Sequence, residues 1–314
     1  MKKWVLIVSG LLIVFLAGIF LLIPSRAEGT VQVLVAAPSG SVYRSLVSDQ
    51  QWKAWWPGTP LPTPKAGPVS EFQYEDRQFT VQKVMEGTAV TIRKGEKVLE
   101  SFLRIIPAGE DSTLLQWSYG LPGTANPFIR LGNYFRAQSA REDLETLLAK
   151  LKGHLEKEEN LYGFNVQQEK VKDTIMVVTR TQTDHFPDTS DIYRLVRSLQ
   201  VYIAGQQAQE TNYPMLHISR EEEGTYGIMV AIPVNRVLPE QGTVFTKRMV
   251  AGDILVAEVR GGLYTTLRAM QEMENYVLDH KLASPAIPFE LLVTDRSREP
   301  DTTRWITRIY YPIY

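Results

Sequence analysis

At 314 residues, 44% hydrophobic and 22% charged, the chain is long enough for two globular domains, each with its own core. With 34 basic residues against 35 acidic and a net charge of −1, it has no electrostatic reason to bind nucleic acid. It has no cysteine, which excludes disulfides, thiolate nucleophiles, zinc–thiolate sites and a lipoprotein anchor, so stability must come from packing.

The first element is an uncharged run, Trp4 to Ile23, behind Lys2 and Lys3. At helical rise its length matches the ~30 Å hydrocarbon core of a bilayer, and residues 1–27 are read as a transmembrane anchor. A cleaved signal peptide is the alternative, but its apolar region is shorter, roughly 7–15 residues. Two lysines before the run and Arg26 after it place the N-terminus in the cytoplasm and the soluble domains outside, as a single-pass protein of the cell membrane.

From Thr30 the pattern is strand, short helices, strands and a long helix. TVQVLVAA is β-rich, Pro38 breaks it, and Val42, Leu46 and Val47 then share a helical face. WKAWWPG closes that stretch with Trp52, Trp55 and Trp56. Alternating runs around Phe72, Phe79, Val81 and Trp117, with a turn at Lys94-Gly95, read as an antiparallel sheet. SAREDLETLLAKLKGHLEKEENL then puts Leu144, Leu147, Leu148, Leu151 and Leu155 on one side of a long amphipathic helix.

This order, carried by VLVAAPSGSVYRSLVSDQQWKAWWPG and ANPFIRLGNYFRAQSAREDLETLLAKLKGHLEKE, resembles the SRPBCC helix-grip superfamily of START, polyketide cyclase-like and birch-allergen domains, over residues 28–162. The resemblance implies a long helix across a curved sheet, enclosing an apolar cavity for a hydrophobic ligand. Trp52, Trp55 and Trp56 would then be ligand-binding residues at the cavity end, the competing expectation being a tryptophan-filled core.

The remainder, 163–314, repeats itself. DTIMVVTRTQ, a helical stretch, YPMLHIS and YGIMVAIPV are matched in order by AGDILVAEVRGG, a helical stretch, IPFELLVTD and RWITRIYYPI. The copies span about 166–236 and 243–314. Pro214 and Pro288 precede the middle strands, and Pro233 and Pro312 fall near the last. Such duplication predicts a pseudo-symmetric α+β unit with a cleft between the copies as the natural place for a ligand.

This repeat, through VAEVRGGLYTTLRAMQEMENYVLDHKL and IPFELLVTDRSREPDTTRWITRIYYPIY, resembles the gyrase-inhibitor-like, or AraC-type, effector-binding domain. The resemblance implies a duplicated βααββ-type fold, with an aromatic-lined cleft that takes small organic molecules, often flat or cationic. It places Tyr264, Trp305 and Tyr310 among the ligand-binding residues. The family's functional glutamate commonly lies on the last strand, where this chain has Arg308, so an acid must come from Glu258 or Glu290, or the family's glutamate role is absent.

Glu290 sits in PFELLV, where alternation separates Phe289 and Leu291 from Glu290 and Leu292. Facing inward it would be desolvated; the alternative is a solvated carboxylate or one paired with Arg308. The histidines, His154, His185, His217 and His280, are scattered without metal-ligand spacing, and His154 reads as solvated. No nucleophile elbow, phosphate loop or dinucleotide fingerprint is present, and neither metal nor cofactor is expected. The leading expectation is a membrane-tethered sensor or carrier with a cavity in each soluble domain. The alternatives are a hydrolase or cyclase using a cleft glutamate as acid/base, and a module signalling to a membrane partner.

Overall fold

The computed structural model describes residues 2–62, 69–85, 87–172, 175–221 and 224–313. It divides the chain into two units, Met1–Lys157 and Glu158–Tyr314.

The first unit opens with helix α1 (Lys2–Leu22). Most of its described side chains are exposed, among them Trp4, Ile7, Val14, Phe15, Leu21 and Leu22, while Ile19 is buried near the end that meets Arg130 of the helix at Pro127–Leu155. Among the described residues no helix is long and apolar enough to cross a membrane.

Strand β1 (Ala27–Val35) leads to two short helices, α2 (Ser39–Val47) and α3 (Asp49–Trp55). A meander follows: β2 (Thr59–Pro60), β3 (Val69–Tyr74), β4 (Arg77–Val84), β5 (Gly87–Lys94), β6 (Lys97–Pro107) and β7 (Thr113–Leu121). The sheet is antiparallel in the order β1-β7-β6-β5-β4-β3-β2, so the first strand closes on the last. Gly95 takes φ +58° in the β5–β6 turn, a left-handed conformation that glycine adopts without a Cβ penalty.

Helix α4 (Pro127–Leu155) packs against β1 and β7. It begins well before the amphipathic run that announces it. Asn126 Oδ1 accepts from the backbone N–H groups of Phe128 and Ile129, and Pro127 occupies the first turn, where a missing N–H costs nothing. Leu144, Leu147, Leu148, Leu151 and Leu155 form its buried stripe.

The second unit contains α5 (Glu158–Tyr162), β8 (Gln167–Lys170), β9 (Ile175–Thr183), α6 (Thr189–Gly205), β10 (Met215–Arg220), β11 (Tyr226–Pro233), β12 (Phe245–Arg248), β13 (Asp253–Arg260), α7 (Leu263–Asp279), β14 (Phe289–Leu292) and β15 (Ile306–Ile313). Helix α5 falls within this unit, Glu158–Tyr314. Tyr162 and Phe164 bury against α7, and the Tyr162 hydroxyl donates to Asp279 at 2.8 Å.

All eight strands form one antiparallel sheet, β12-β9-β11-β10-β14-β15-β13-β8. The copies are β9-α6-β10-β11 and β13-α7-β14-β15, with one helix each where the resemblance implied two. The whole of Thr189–Gly205 is a single helix, started by a capping box between Asp188 and Asp191. The middle strands β10 and β14 meet at the seam, Met215 opposite Leu291 and Leu216 opposite Glu290. The flanking strands exchange copies: β8 precedes β9 but pairs with β13, and β12 precedes β13 but pairs with β9.

Period-two alternation sorts this sheet into two faces. Val177, Leu216, Val230, Ile232 and Leu292 bury against α6, and Leu255, Ala257 and Ile309 against α7. Their alternates, including Met176, Val178, Met215, Ala231, Ile254, Val256, Phe289 and Leu291, form a separate cluster on the opposite face.

Candidate ligand-binding site

A cavity of about 250 Å³ lies on that opposite face, lined by residues of β9, β10, β11 and β14 and by the segments at Met249–Gly252 and Pro285–Ile287. Four methionines, Met176, Met215, Met229 and Met249, line it together with Phe289. Unbranched thioethers repack around guests of different shape, which makes this wall adaptable. An adjoining hollow of about 130 Å³ shares Val171, Met215, Met249 and Phe289 and adds Tyr310. The Phe289 and Tyr310 rings stack at 5.2 Å with only 3° between their planes.

His217 lies in the wall directly opposite Met229 in the β10–β11 register. Its Nδ1 is 2.9 Å from the Pro288 carbonyl oxygen. A carbonyl can only accept, so Nδ1 carries the hydrogen and the ring orientation is fixed. The second copy's pre-strand proline thus holds a side chain of the first copy's middle strand.

Glu290 faces the other way. It is 7% exposed, and Arg296 Nη2 lies 3.0 Å from its Oε2 and 2.8 Å from Thr307 Oγ1. Arg296 in turn packs 5.1 Å from the Trp305 ring centroid, and its backbone N–H donates to the Tyr193 hydroxyl on α6. Burial pushes the Glu290 carboxyl up from its ordinary value, with Arg296 opposing the shift. The partner expected from the sequence, Arg308, is instead 2.9 Å from Glu258 on the neighbouring strand, and both side chains are about half exposed. Glu258 and Arg308 border a separate polar hollow of about 470 Å³.

Of the residues expected to line the cleft, only Tyr310 adjoins the apolar cavity. Tyr264 is 80% exposed at the start of α7, and Trp305 is buried with its indole N–H donated to the Glu299 carbonyl at 2.8 Å. The structure does bring Glu290 and Trp305 together, around Arg296, but on the helical face. Among the described residues the acid lining the cavity is Asp253, and Glu169 lines the adjoining hollow. Among the described residues no group of three or more His, Asp or Glu is placed to hold a metal ion.

In the first unit the three indoles are core. Trp52 is fully buried and Trp55 and Trp56 are 6% exposed, with ring centroids 5.1–6.1 Å apart and Phe72 and Phe79 against them. Trp52 Nε1 donates to the Leu46 carbonyl at 2.7 Å and Trp56 Nε1 to that of Gln73 at 3.1 Å. A cavity of about 640 Å³ does exist in this unit, between the β5–β6 turn and the N-terminal half of α4, and it includes none of the tryptophans. Its polar anchor is Arg77, buried and bonded to Asp143 and to Ser139, each at 2.6 Å. Burial raises the Asp143 carboxyl above its ordinary value and Arg77 opposes it.

The sequence reading missed the methionines and His217. Their signal was present: Met215 and His217 are two apart in YPMLHIS, as are Met229 and Ala231 in YGIMVAIP, so each pair shares a face.

No family model matches the chain, and no curated protein matches it. Among solved structures it is similar to the C-terminal domain of EcmrR, at 15% identity over 48% of this chain and 98% of that one, with a TM-score of 0.42. It is similar to a START superfamily protein from Mycobacterium smegmatis, at 22% identity over 41% and 97%, TM-score 0.31. It is also similar to SAV2435 bound to tetraphenylphosphonium, at 13% identity over 48% and 94%, TM-score 0.32. At such identities and TM-scores these likenesses carry no argument about what this chain does.

Proposed function

We propose that the chain is a membrane-tethered protein that binds small hydrophobic or amphipathic molecules, as a sensor or carrier, with a cavity in each of its two units. The observation that carries this reading is the methionine-lined cavity at the seam of the second unit. With its adjoining hollow it enters the ~300–1,000 Å³ range of small-molecule sites, and like them it is mostly apolar with a few fixed polar groups. Its test is native mass spectrometry of the full chain released from lipid nanodiscs, with identification of what co-purifies. Ala231 is 6% exposed in the cavity wall. A bound small molecule that is lost in Ala231→Phe supports the reading. An empty protein that also shows no thermal shift against a broad apolar library overturns it.

The tether in this proposal is the uncharged run Trp4–Ile23, with the N-terminus cytoplasmic and both units extracytoplasmic. A water-facing helix that is apolar on all sides needs an apolar surrounding, and the exposure of Val8, Leu12, Val14 and Leu21 on different sides of α1 motivates the assignment. Alkaline extraction of membranes from expressing cells tests it: retention in the pellet supports the tether, and release into the supernatant removes it.

A further inference from the structure

Charge selects among the ligands that the methionine cavity admits by shape. The chain as a whole is balanced, 34 basic residues to 35 acidic, so a cavity lined without regard to charge would favour neither sign. The charged residues at this cavity are Lys247 and Arg248, adjacent at the end of β12, and Asp253 at the start of β13. Asp253 is already engaged. Its Oδ1 is 2.6 Å from Lys170 Nζ, and that bond holds its carboxyl below the ordinary value.

The adjoining hollow adds Lys170, Lys172, Arg308 and Glu169, and each of these is also paired: Lys170 with Asp253, Lys172 with Glu169 at 3.7 Å, Arg308 with Glu258 at 2.9 Å. Among the described residues no ion pair joins Lys247 or Arg248 to an acid. The buried Glu290 points to the helical face and is committed to Arg296. Among the described residues these two cations therefore have no acidic partner, and they stand at the rim of an apolar wall. The wall itself holds His217, whose Nδ1–H is spent on Pro288, so an anionic head group belongs at the rim and an apolar body inside.

We infer that this cavity takes organic anions, molecules with an apolar body and one anionic head, in preference to the flat cations that the effector-domain resemblance implied. The inference rests on the binding reading above and names its ligand class.

The test compares three probes of equal chain length, 1-octanesulfonate, octyltrimethylammonium and 1-octanol, titrated into the full chain in lipid nanodiscs with empty nanodiscs as reference. At low salt the sulfonate is expected to bind about tenfold or more tighter than the ammonium, and the gap closes as ionic strength rises and the Debye length falls to a few ångströms. The Lys247→Gln/Arg248→Gln double variant brings the ratio toward one, and Lys247→Glu/Arg248→Glu reverses it. Both side chains are exposed, and unchanged unfolding midpoints confirm that the variants fold. Equal affinities, an ammonium preference, or a sulfonate preference that survives both double variants overturns the inference and leaves the binding reading standing. Failure of all three probes, octanol included, removes the binding reading and this inference with it.

Discussion

The tryptophan end of the first unit and the methionine face of the second are both concentrations of large apolar side chains, and they finish in opposite states. The indoles are rigid, and each buried one needs a partner for its N–H, so they lock against one another and onto the carbonyls of Leu46 and Gln73. The thioethers are flexible and have no donor to satisfy, so Met176, Met215, Met229 and Met249 leave a cavity open at no hydrogen-bonding cost. Aromatic density in a sequence thus marks where a core is most fully determined, and a set of methionines on one strand face marks where it is left adaptable.

The largest effects test the filled end. Trp52→Ala removes a fully buried ring whose neighbours, Trp55, Trp56 and Phe72, cannot collapse onto the space, and it is expected to cost about 3–5 kcal/mol. Urea denaturation followed by tryptophan fluorescence reads this. A loss below about 1 kcal/mol would mean that the indoles are not the structural lock described here.

Next in size is the buried pair on the helical face. Glu290→Ala leaves Arg296 uncompensated beside Thr307 and Trp305, an error that costs roughly 3–5 kcal/mol in comparable sites. A Glu290→Leu/Arg296→Met double variant is expected to recover most of that loss, because removing both charges removes the desolvation penalty as well. Apolar-probe binding in the double variant should match wild type. Loss of binding there would return Glu290 to the ligand site and break the comparison.

A smaller, pH-dependent effect belongs to His154. It is half-buried, with Nε2 2.8 Å from Gln51 Oε1, and burial, reinforced by Lys157, holds its pKa below the ordinary 6.5. The unfolded chain therefore binds this proton at a pH where the folded chain does not. The stability contributed is present above about pH 6.5 and is lost as pH falls through 6.5 toward the folded-state value. His154→Gln should flatten the change in unfolding midpoint between pH 7.5 and 5.5, and an identical slope in wild type and variant rejects the assignment.

Local pattern made some of this legible, and partner identity was where it stopped. The leucine stripe of α4, the hairpin at Gly95, the duplicated strands and the alternation of Phe289 and Leu291 against Glu290 and Leu292 all follow from periodicity and turn chemistry. Periodicity places Glu290 on a face but cannot say which face holds the cavity. That depends on α6 and α7 covering the same side of the sheet, a tertiary outcome. Nor could strand spacing show that Arg296, in the loop after β14, reaches back to Glu290 while Arg308 turns to Glu258. His154 was misread for the same reason: its helix neighbours are charged, but Gln51 comes from an element a hundred residues earlier.

The smallest expected effect is the most direct check on where the ligand goes. Glu258 and Arg308 are 51% and 44% exposed and face each other across β13 and β15 at 2.9 Å, beside a polar hollow larger than the methionine cavity. Size alone would favour that hollow as the binding site, but its wall is polar and its ion pair is already hydrated. An exposed pair of this kind is worth about 0–1 kcal/mol, so Glu258→Gln should leave the unfolding midpoint nearly unchanged. Binding of an apolar probe should be equally indifferent, because removing the pair changes no atom of the methionine wall. If Glu258→Gln weakens that probe about tenfold while stability holds, the ligand sits against the β13–β15 charges, and the methionine face is packing rather than a site.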